Sequence, residues 1–232
     1  MKAMVERRID SGVGLMSPEA TRPGGSLWRR FQGVAGQARG PSLGQPLANL
    51  YLDEAYVRVG GKASWVLLAL GEGRGGQRCY LGALLSPEPS QGAWQRLIEG
   101  LDIPSGGRGL TVIHDGDQAL SQAVALVLPW AQERLCVWHQ LHNLALGVRE
   151  RYPGQPQRQR EIVQQAKAAL VAQYPAPRTT SPLERAIKEL RRRTRPMDGF
   201  GSQQGARNFL RAWLVRENSR WSGQDWLPTL VA

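Results

Sequence analysis

Three acidic residues, Asp53, Asp115 and Glu184, stand where the sequence pattern predicts the end of a strand or the start of a helix. They belong to a chain of net charge +11, with 30 Lys and Arg against 19 Asp and Glu. Carboxylates are ligands that hard cations such as Mg²⁺ prefer, and a cationic protein attracts phosphate backbones. The combination indicates metal-dependent chemistry on a polyanion.

Composition restricts where such a protein works. A chain of 232 residues can bury a full core. Two cysteines, Cys79 and Cys136, are too few for a disulfide framework, which favours a reducing cytosol. The sequence has no 18-residue apolar run, and its start, MKAMVERRIDSG, lacks the apolar core of a signal peptide. We therefore expect a cytoplasmic protein with no membrane partner.

Hydrophobic periodicity predicts an α/β fold. The segments NLYLDEAYVRVGG, SWVLLALG and QRCYLGALLS predict three strands of an antiparallel meander, with Asp53 closing the first. Next come a helix capped by Ser90, a strand ending at Asp115, a helix stopped by Pro129, a strand ERLCVWH and a helix QLHNLALGVRERY. Strands alternating with helices after a meander predict a sheet of mixed direction.

Composition shifts divide the chain into four regions. Residues 1–46 are rich in Gly, Pro and Arg, and predict a poorly ordered basic arm. Residues 47–150 hold the predicted sheet, residues 151–178 one polar helix between Pro-containing stretches, and residues 179–232 a strongly cationic helix followed by another helix.

Two motifs have simpler structural interpretations. Gly71, Gly73 and Gly76 match the G-x-G-x-x-G dinucleotide fingerprint, but they precede a strand rather than a helix, which predicts a hairpin turn. Cys136-x2-His139-x2-His142 could bind zinc. A cysteine packed in a buried strand, followed by two histidines at a helix start, accounts for the same residues.

The first two acidic residues have structural alternatives as well. Asp53 and Glu54 could be a surface carboxylate pair. Asp115 could belong to an Asp-Gly turn, with Asp117 capping the next helix.

The third acidic residue has the strongest structural alternative. Ser181 as N-cap and Glu184 at N3 would form a capping box. Lys188, Arg191 and Arg195 fall on the same side of this helix as Glu184, which suits a phosphate backbone better than it suits a salt bridge.

Three blocks of sequence together resemble the Mutator-type (MULE-like) transposases of bacterial insertion sequences, a branch of the DDE recombinases. LYLDEAYVRVGGK resembles the strand of the first Asp, and VIHDGDQALSQAVALVLPWAQERLCVWHQLHN the second-Asp block with its Cys-x2-His signature. TTSPLERAIKELRRRTRPMDGF resembles the block of the third acidic residue, with its TT-x-x-x-E lead. The resemblance spans roughly residues 48–221.

The resemblance implies an RNase H-like mixed sheet flanked by helices, with a shortened helical insertion before the last catalytic helix. It makes Asp53, Asp115 and Glu184 the catalytic and metal-binding triad for two Mg²⁺ ions, for which Mn²⁺ can substitute. Cys136 and His139 become a supporting pair.

The same resemblance implies the activity and the partners. The protein would be a DNA transposase that cleaves and transfers strands of an insertion sequence in the nucleoid of a bacterium. It would act as at least a dimer on double-stranded DNA, namely the terminal repeats and the target. The phosphate contacts would come from the cationic helix, through Lys188, Arg191, Arg192, Arg193 and Arg195.

Two departures from the family keep alternatives open. The region 151–178 is shorter than the usual insertion, and the expected N-terminal DNA-binding region is missing or reduced to the basic arm. A truncated, inactive remnant that still binds DNA is one alternative. A zinc-stabilised nucleic-acid-binding module built on Cys136, His139 and His142 is a second, and another RNase H-like nuclease, such as a structure-selective resolvase, is a third.

Overall fold

A computed structural model describes residues 46–101, 103, 109–174, 179–195 and 198–222. The predicted arm, residues 1–46, lies outside the described residues except at its last position, and the division into four regions stays a prediction. The elements, in chain order, are β1 (Leu47–Val59), β2 (Lys62–Gly73), β3 (Arg78–Ser86), α1 (Gln91–Glu99), β4 (Thr111–His114), α2 (Gln118–Val127), β5 (Gln132–Leu135), α3 (Val137–Arg151), α4 (Pro156–Gln173), α5 (Ser181–Thr194) and α6 (Gln203–Ser222).

The five strands form one mixed sheet in the order β3-β2-β1-β4-β5. The first three strands are antiparallel neighbours, as the alternating pattern predicts. Gly60 and Gly61, with φ of 57° and 76°, make the first turn, because two successive residues with positive φ suit a tight hairpin. A second turn joins β2 to β3 around Gly76. The glycine motif is therefore a hairpin turn, as predicted, and not a dinucleotide fingerprint.

The remaining two strands run parallel to β1. Tyr51 of β1 pairs with Ile113 of β4, and His114 of β4 pairs with Leu135 of β5. Such parallel neighbours need crossover connections, which here contain α1 and α2. The α/β class with a mixed sheet flanked by helices is confirmed.

Helices α1 and α2 cover one face of the sheet. Their apolar side chains pack against the even-numbered residues of β1 and β4 and the odd-numbered residues of β2, because successive side chains of a strand alternate between faces. Trp94 of α1 is fully buried in this core. Its other members include Leu50, Leu52, Leu67, Ala69, Leu97, Ile98, Val112, Leu120 and Val124.

Helices α5 and α6 cover the opposite face. Members of this second core include Tyr51, Ala55, Leu68, Leu70, Ile113, Leu183, Ile187, Leu190, Phe209 and Trp213. Helix α6 also meets the edge strand β3, where the Asn218 amide accepts from Tyr80 N–H at 2.7 Å and donates to Tyr80 C=O at 3.0 Å. These bonds satisfy backbone groups that an edge strand would otherwise leave open. Helix α4 has no buried residue and contacts α3.

Two predicted boundaries are wrong. Strand β5 ends at Leu135, so Cys136 is the N-cap of α3 and Val137 to His139 are helical rather than extended. The strand stops there because its parallel partner β4 ends at His114. Asp53 does not close β1 either, since β1 continues to Val59 on its pairing with β2.

Candidate functional site

The parallel register brings the first two candidate carboxylates side by side. Tyr51 lies opposite Ile113 at the last pair of this register, and Asp53 and Asp115 each follow two residues later. Strand β4 ends one residue before Asp115. Asp53 therefore lies inside its own strand but level with the carboxyl end of its neighbour, which is where α/β sheets place functional groups.

Alternation along β1 directs the Asp53 side chain to the face covered by α5. Tyr51 and Ala55, two residues either side of Asp53, belong to the core under that helix, and so does Ile113, two residues before Asp115. Helix α5 packs on this face through Leu183, directly before Glu184. The charges of Asp115 and Glu184 both act on Asp53, but within the described part of the chain the three carboxylates do not form a group whose oxygens all lie within 4.8 Å of one another.

Electrostatics reports the same proximity. Burial, together with the charges of Asp115 and Glu184, raises the pKa of Asp53 to about 6. The Glu54 backbone N–H, which donates to Asp53 Oδ1 at 2.8 Å, and the His139 side chain oppose this shift. Added positive charge would be favourable next to a carboxylate whose pKa neighbouring carboxylates raise, as they do for Asp53.

A fourth carboxylate, Glu54, which sequence reasoning treated only as a neighbour, lies beside these residues on the opposite face of β1. Burial, together with the charges of Asp115, Asp53 and Asp117, raises the pKa of Glu54 to about 7. Its Oε2 is buried and has no hydrogen-bond partner among the described residues. Asp53 and Glu54 are both partly buried, so they are not a surface pair. The acidic dipeptide inside an otherwise apolar strand was the available signal.

His114 holds the loop that carries Asp115, and sequence reasoning missed it. Its Nδ1 accepts from Gly116 N–H at 3.1 Å, so Nε2 carries the proton that it donates to Glu133 Oε1 at 2.8 Å. Asp115 Oδ1 accepts from Asp117 N–H at 3.0 Å. The buried histidine directly before the Asp-Gly pair was the signal in the sequence.

The structural interpretation of this loop is correct as well. Asp117 is the N-cap of α2, and its side chain accepts from Leu120 N–H at 3.1 Å. The cap involves Asp117, whereas Asp115 acts electrostatically on Asp53. The turn and the predicted role of Asp115 are therefore compatible.

The predicted capping box at Glu184 is wrong. The N-cap of α5 is Thr180, not Ser181, and its side chain caps no backbone N–H. The buried Thr180 hydroxyl instead lies 3.1 Å from Glu184 Oε1 and 3.4 Å from Cys136 Sγ, and Thr180 N–H also donates to that sulfur at 3.4 Å. Contacts to Cys136 therefore tie the start of α5 to the start of α3.

Cys136 and His139 lie beside the carboxylates. Although burial of the Cys136 thiol raises its pKa, interactions with His139 and Thr180 outweigh burial and lower it. Interaction with Cys136 raises the pKa of His139 against the effect of its own burial, and the charges of Asp53 and Asp115 act in the same direction. The pair is in electrostatic contact with the carboxylate cluster.

The predicted zinc triplet is not assembled as the sequence spacing suggested. Ligand atoms of Cys136, His139 and Glu184 all lie within 4.8 Å of one another. His142 is exposed and stacks on the Trp138 ring, with centroids 5.0 Å apart and an interplanar angle of 8°. Glu184, not His142, completes the group.

The five cations predicted to contact DNA divide into two sets. Lys188, Arg191 and Arg195 are exposed, at helical steps from Glu184. The other two cations pair with Glu189. Arg192 Nε lies 2.8 Å from one carboxylate oxygen of Glu189, and Arg193 Nη2 lies 2.7 Å from the other.

The carboxylate cluster suits hard divalent cations. Asp53, Asp115 and Glu184 offer oxygen ligands, the kind that Mg²⁺ and Mn²⁺ prefer. A bound cation would lower the raised pKa of Asp53. The types of these residues therefore suit the metal ions that the sequence predicts, and their side chains would have to move closer together to share an ion. No helix in the described part of the chain is long and apolar enough to cross a membrane.

Comparison with known proteins identifies transposases as similar sequences. The family model described as Transposase, Mutator family, matches residues 34–174. The transposase for insertion sequence element IS406 of Burkholderia multivorans is 26% identical over 265 aligned positions, which cover 94% of this chain and 66% of that protein. The chain thus spans just under two thirds of that relative's length. A cryo-EM structure of the simian T-cell lymphotropic virus intasome in complex with PP2A regulatory subunit B56 gamma superposes with a TM-score of 0.30 and 11% identity, over 72% of this chain and 65% of that one. A superposition this distant supports no conclusion.

Proposed function

The chain belongs to the Mutator family of transposases, and on that premise we propose that it is a DDE-type DNA transposase. It catalyses metal-dependent strand cleavage and strand transfer for an insertion sequence. The observation that supports the proposal most is the electrostatic effect of Asp115 and Glu184 on Asp53, which carboxylates 62 and 131 residues away in sequence exert only when the fold brings them near. Three carboxylates far apart in sequence, gathered in a chain of net charge +11, suit an enzyme acting on a polyanion.

An RNase H-like core is part of this proposal. Its support is the strand order β3-β2-β1-β4-β5, with an antiparallel meander followed by two parallel strands. A central β1 that carries Asp53, beside a β4 that leads into Asp115, gives the active-site carboxylates a rigid base. The polar helix α4, which lies before α5, would be the shortened insertion.

Asp53, Asp115 and Glu184 would hold two Mg²⁺ or Mn²⁺ ions, with Glu54 adding negative charge from the adjacent position. When bound, such a pair of ions stabilises charge on the attacking and leaving oxygens of a phosphoryl transfer. Asp53, fixed by the Glu54 N–H, provides the most rigid ligand. Glu184, held by the Thr180 hydroxyl, provides a ligand from the opposite element.

The proposed reaction has two phosphoryl transfers. In cleavage, a water oxygen bonds to phosphorus and the bond from phosphorus to the 3′ oxygen breaks, so the water proton is lost and the 3′ oxygen gains one. In transfer, that 3′-hydroxyl attacks a phosphodiester of the target, whose own 3′ oxygen leaves with a proton. The chain's residues orient phosphate and nucleophile, and no covalent enzyme intermediate is formed.

The DNA contacts would lie along α5. Lys188, Arg191 and Arg195 are exposed on the helix that carries Glu184, so a phosphate backbone running along them would pass the carboxylates. Binding of double-stranded DNA through such contacts weakens steeply with salt. Two element ends must be joined to one target, and we propose that at least two copies of the chain act together.

Asp115→Asn tests the proposal. The substitution keeps the size of the side chain and removes its charge, so we expect strand transfer with the element's own terminal repeats to fall by about 10³-fold or more. Unfolding temperature and DNA affinity should stay close to those of the natural chain. The assay is metal-dependent joining of a labelled end to target DNA, with Mg²⁺ and then Mn²⁺.

Asp198→Asn is the matched control, because the Asp198 side chain is 93% exposed and pairs only at 3.7 Å with Arg58. It should retain full activity. Equal activity in Asp115→Asn and Asp198→Asn would refute the site. A folded, DNA-binding natural chain without strand transfer would favour the inactive remnant.

A further inference from the structure

The group Cys136, His139 and Glu184 differs chemically from the carboxylates beside it. It offers one sulfur, one imidazole nitrogen and one carboxylate oxygen, with the three ligand atoms within 4.8 Å of one another. Zinc bonds of roughly 2.0–2.3 Å from a common centre place ligand atoms up to about 4 Å apart. Side-chain movement on the order of 1 Å would therefore close the group around an ion.

Two further observations indicate that these side chains are metal ligands and not packing residues alone. His139 Nδ1 is buried and has no hydrogen-bond partner among the described residues. Buried polar atoms without partners are uncommon in native proteins. Cys136 is fully buried, and its sulfur receives Thr180 N–H at 3.4 Å. Hydrogen bonds of this kind orient metal ligands from outside the coordination shell.

We propose that Cys136, His139 and Glu184 form a binding site for a borderline-soft divalent cation, Zn²⁺, that shares Glu184 with the hard-cation site at Asp53 and Asp115. Three protein ligands leave a fourth tetrahedral position for water. Thiolate and imidazole favour zinc, whereas Mg²⁺ prefers oxygen ligands, so the two sites discriminate between the ions by ligand type.

Sharing Glu184 gives the site a regulatory consequence, which rests on the proposed function. A zinc ion on Cys136 and His139 draws the Glu184 carboxylate away from the Asp53 side of the cluster. Zinc should therefore inhibit the Mg²⁺-dependent reaction.

Cobalt and zinc titrations of the full chain test the site independently of activity. The chain is stripped with a chelator and titrated with Co²⁺ alone. We expect one equivalent of Co²⁺ to produce a near-ultraviolet sulfur-to-cobalt charge-transfer band, and one equivalent of Zn²⁺ to remove it. Cys136→Ser and His139→Gln should each lower Zn²⁺ affinity by about 100-fold or more, given that even second-shell changes cost 10- to 100-fold.

Matched controls separate this site from other ligands. Cys79→Ala removes the other buried thiol, and His142→Ala removes the neighbouring exposed imidazole, so both should retain the band. Two results would overturn the proposal: a natural chain that is folded by circular dichroism but gives no band, or unchanged Zn²⁺ affinity in His139→Gln, which remains informative if Cys136→Ser fails to fold.

Asp115→Asn distinguishes the two proposals. It should abolish strand transfer and keep the cobalt band, because Asp115 is not a member of the zinc group. A natural chain with the band but without strand transfer would count against the transposase activity and not against the zinc site.

Discussion

The two faces of the sheet share one backbone but differ in what they bury. Under α1 and α2, β1 contributes Leu50 and Leu52 to a core centred on Trp94. Under α5, the same strand contributes Tyr51 and Ala55, with Asp53 between them. A one-residue step along β1 therefore separates a side chain that stabilises the fold from one that destabilises it, because the second is a partly buried carboxylate among like charges.

Because the two faces bury different side chains, one face mainly stabilises the fold and the other carries the candidate active site. The α1/α2 face is mostly apolar along β1, where Glu54 and Arg58 are the charged residues. The α5/α6 face must hold the carboxylates while Leu183, Ile187 and Leu190 anchor α5 on the sheet. Substitutions on the first face should change folding alone, and substitutions at the carboxylate edge should change the reaction.

Trp94→Ala should have the largest effect on stability. Trp94 is fully buried on the α1/α2 face, and truncation of a buried Trp costs about 3–5 kcal/mol through lost burial and the cavity that remains. Strand transfer per folded molecule should stay unchanged at temperatures where the variant is folded. Urea unfolding measures the first quantity and active-fraction titration the second.

Leu126→Ala is the control on the same face. Leu126 lies in α2, but its exposure is 62%, so the free energy of unfolding should change by less than about 0.5 kcal/mol. A loss of catalysis in folded Trp94→Ala would show that the α1/α2 face is not purely structural.

Asp53→Asn should act in the opposite direction on stability. In the metal-free protein, burial raises the pKa of Asp53 from 3.8 to about 6. The folded state then holds this proton more tightly than the unfolded state, so the stabilising contribution is full below pH 4 and is lost as the pH rises through about 6. At pH 8 the variant should be more stable by on the order of 1–3 kcal/mol, although strand transfer is abolished.

Unfolding in chelator at pH 5 and pH 8 measures this effect as the difference between the natural chain and Asp53→Asn. The difference should shrink at pH 5, and Mg²⁺ should reduce it at pH 8 by stabilising the natural chain. A variant that is less stable than the natural chain at pH 8 would mean that Asp53 does not lie among like charges.

Thr180→Val should show how the cluster is held. The change removes the hydroxyl that lies 3.1 Å from Glu184 and 3.4 Å from Cys136, at nearly constant side-chain volume. Stability should fall by about 1 kcal/mol. Strand transfer should fall about 10-fold at low Mg²⁺ and recover partly at high Mg²⁺, as expected when a residue that orients a ligand is lost.

Thr179→Val serves as its neighbour control, because Thr179 bonds Ser181 rather than Glu184. It should keep the Mg²⁺ dependence of the natural chain. Identical Mg²⁺ titrations of the two variants would show that Thr180 does not position Glu184.

Local patterns were enough for most of the fold. Alternating residues predicted the meander, Asp117 was identified as a cap, and the mixed strand direction followed from the order of elements. The sequence blocks that contain Asp53, Asp115 and Glu184 named the residues that the fold gathers, although their catalytic roles stay a prediction. These features depend on neighbours in sequence or on resemblance.

The wrong predictions concern residues whose structure depends on contacts with residues far away in the sequence. Cys136 and Val137 suit a strand or a helix by composition, and the end of β4 settles the outcome. Thr180 and Ser181 are equally good caps, but Thr180 is buried against the Cys136 sulfur, which lies 44 residues earlier. Burial of Glu54 depends likewise on the packing of β1 in the sheet. Tertiary contacts of this kind leave a weak local signal at best, as the acidic pair Asp53-Glu54 does within its apolar strand.

Glu189→Gln should have a small effect on stability. It tests whether the cations of α5 divide between stabilising the helix and binding DNA. Arg192 and then Arg193 lower the pKa of Glu189 to about 2. Its stabilising contribution is therefore present above pH 4.5 and is lost as the pH falls through about 2. Because these side chains are partly exposed and screened, the loss at pH 7 should be about 0.5 kcal/mol.

The same substitution frees the Arg192 and Arg193 guanidinium groups, which the sequence predicts to contact phosphates. DNA affinity should rise, and the slope of log affinity against log salt should steepen by up to about two, one for each added phosphate contact. Nitrocellulose filter binding across a salt series measures both. An unchanged slope would mean that Arg192 and Arg193 stabilise α5 and do not contact phosphates. DNA would then be bound by Lys188, Arg191 and Arg195, and the cations of this one helix would divide between folding and binding.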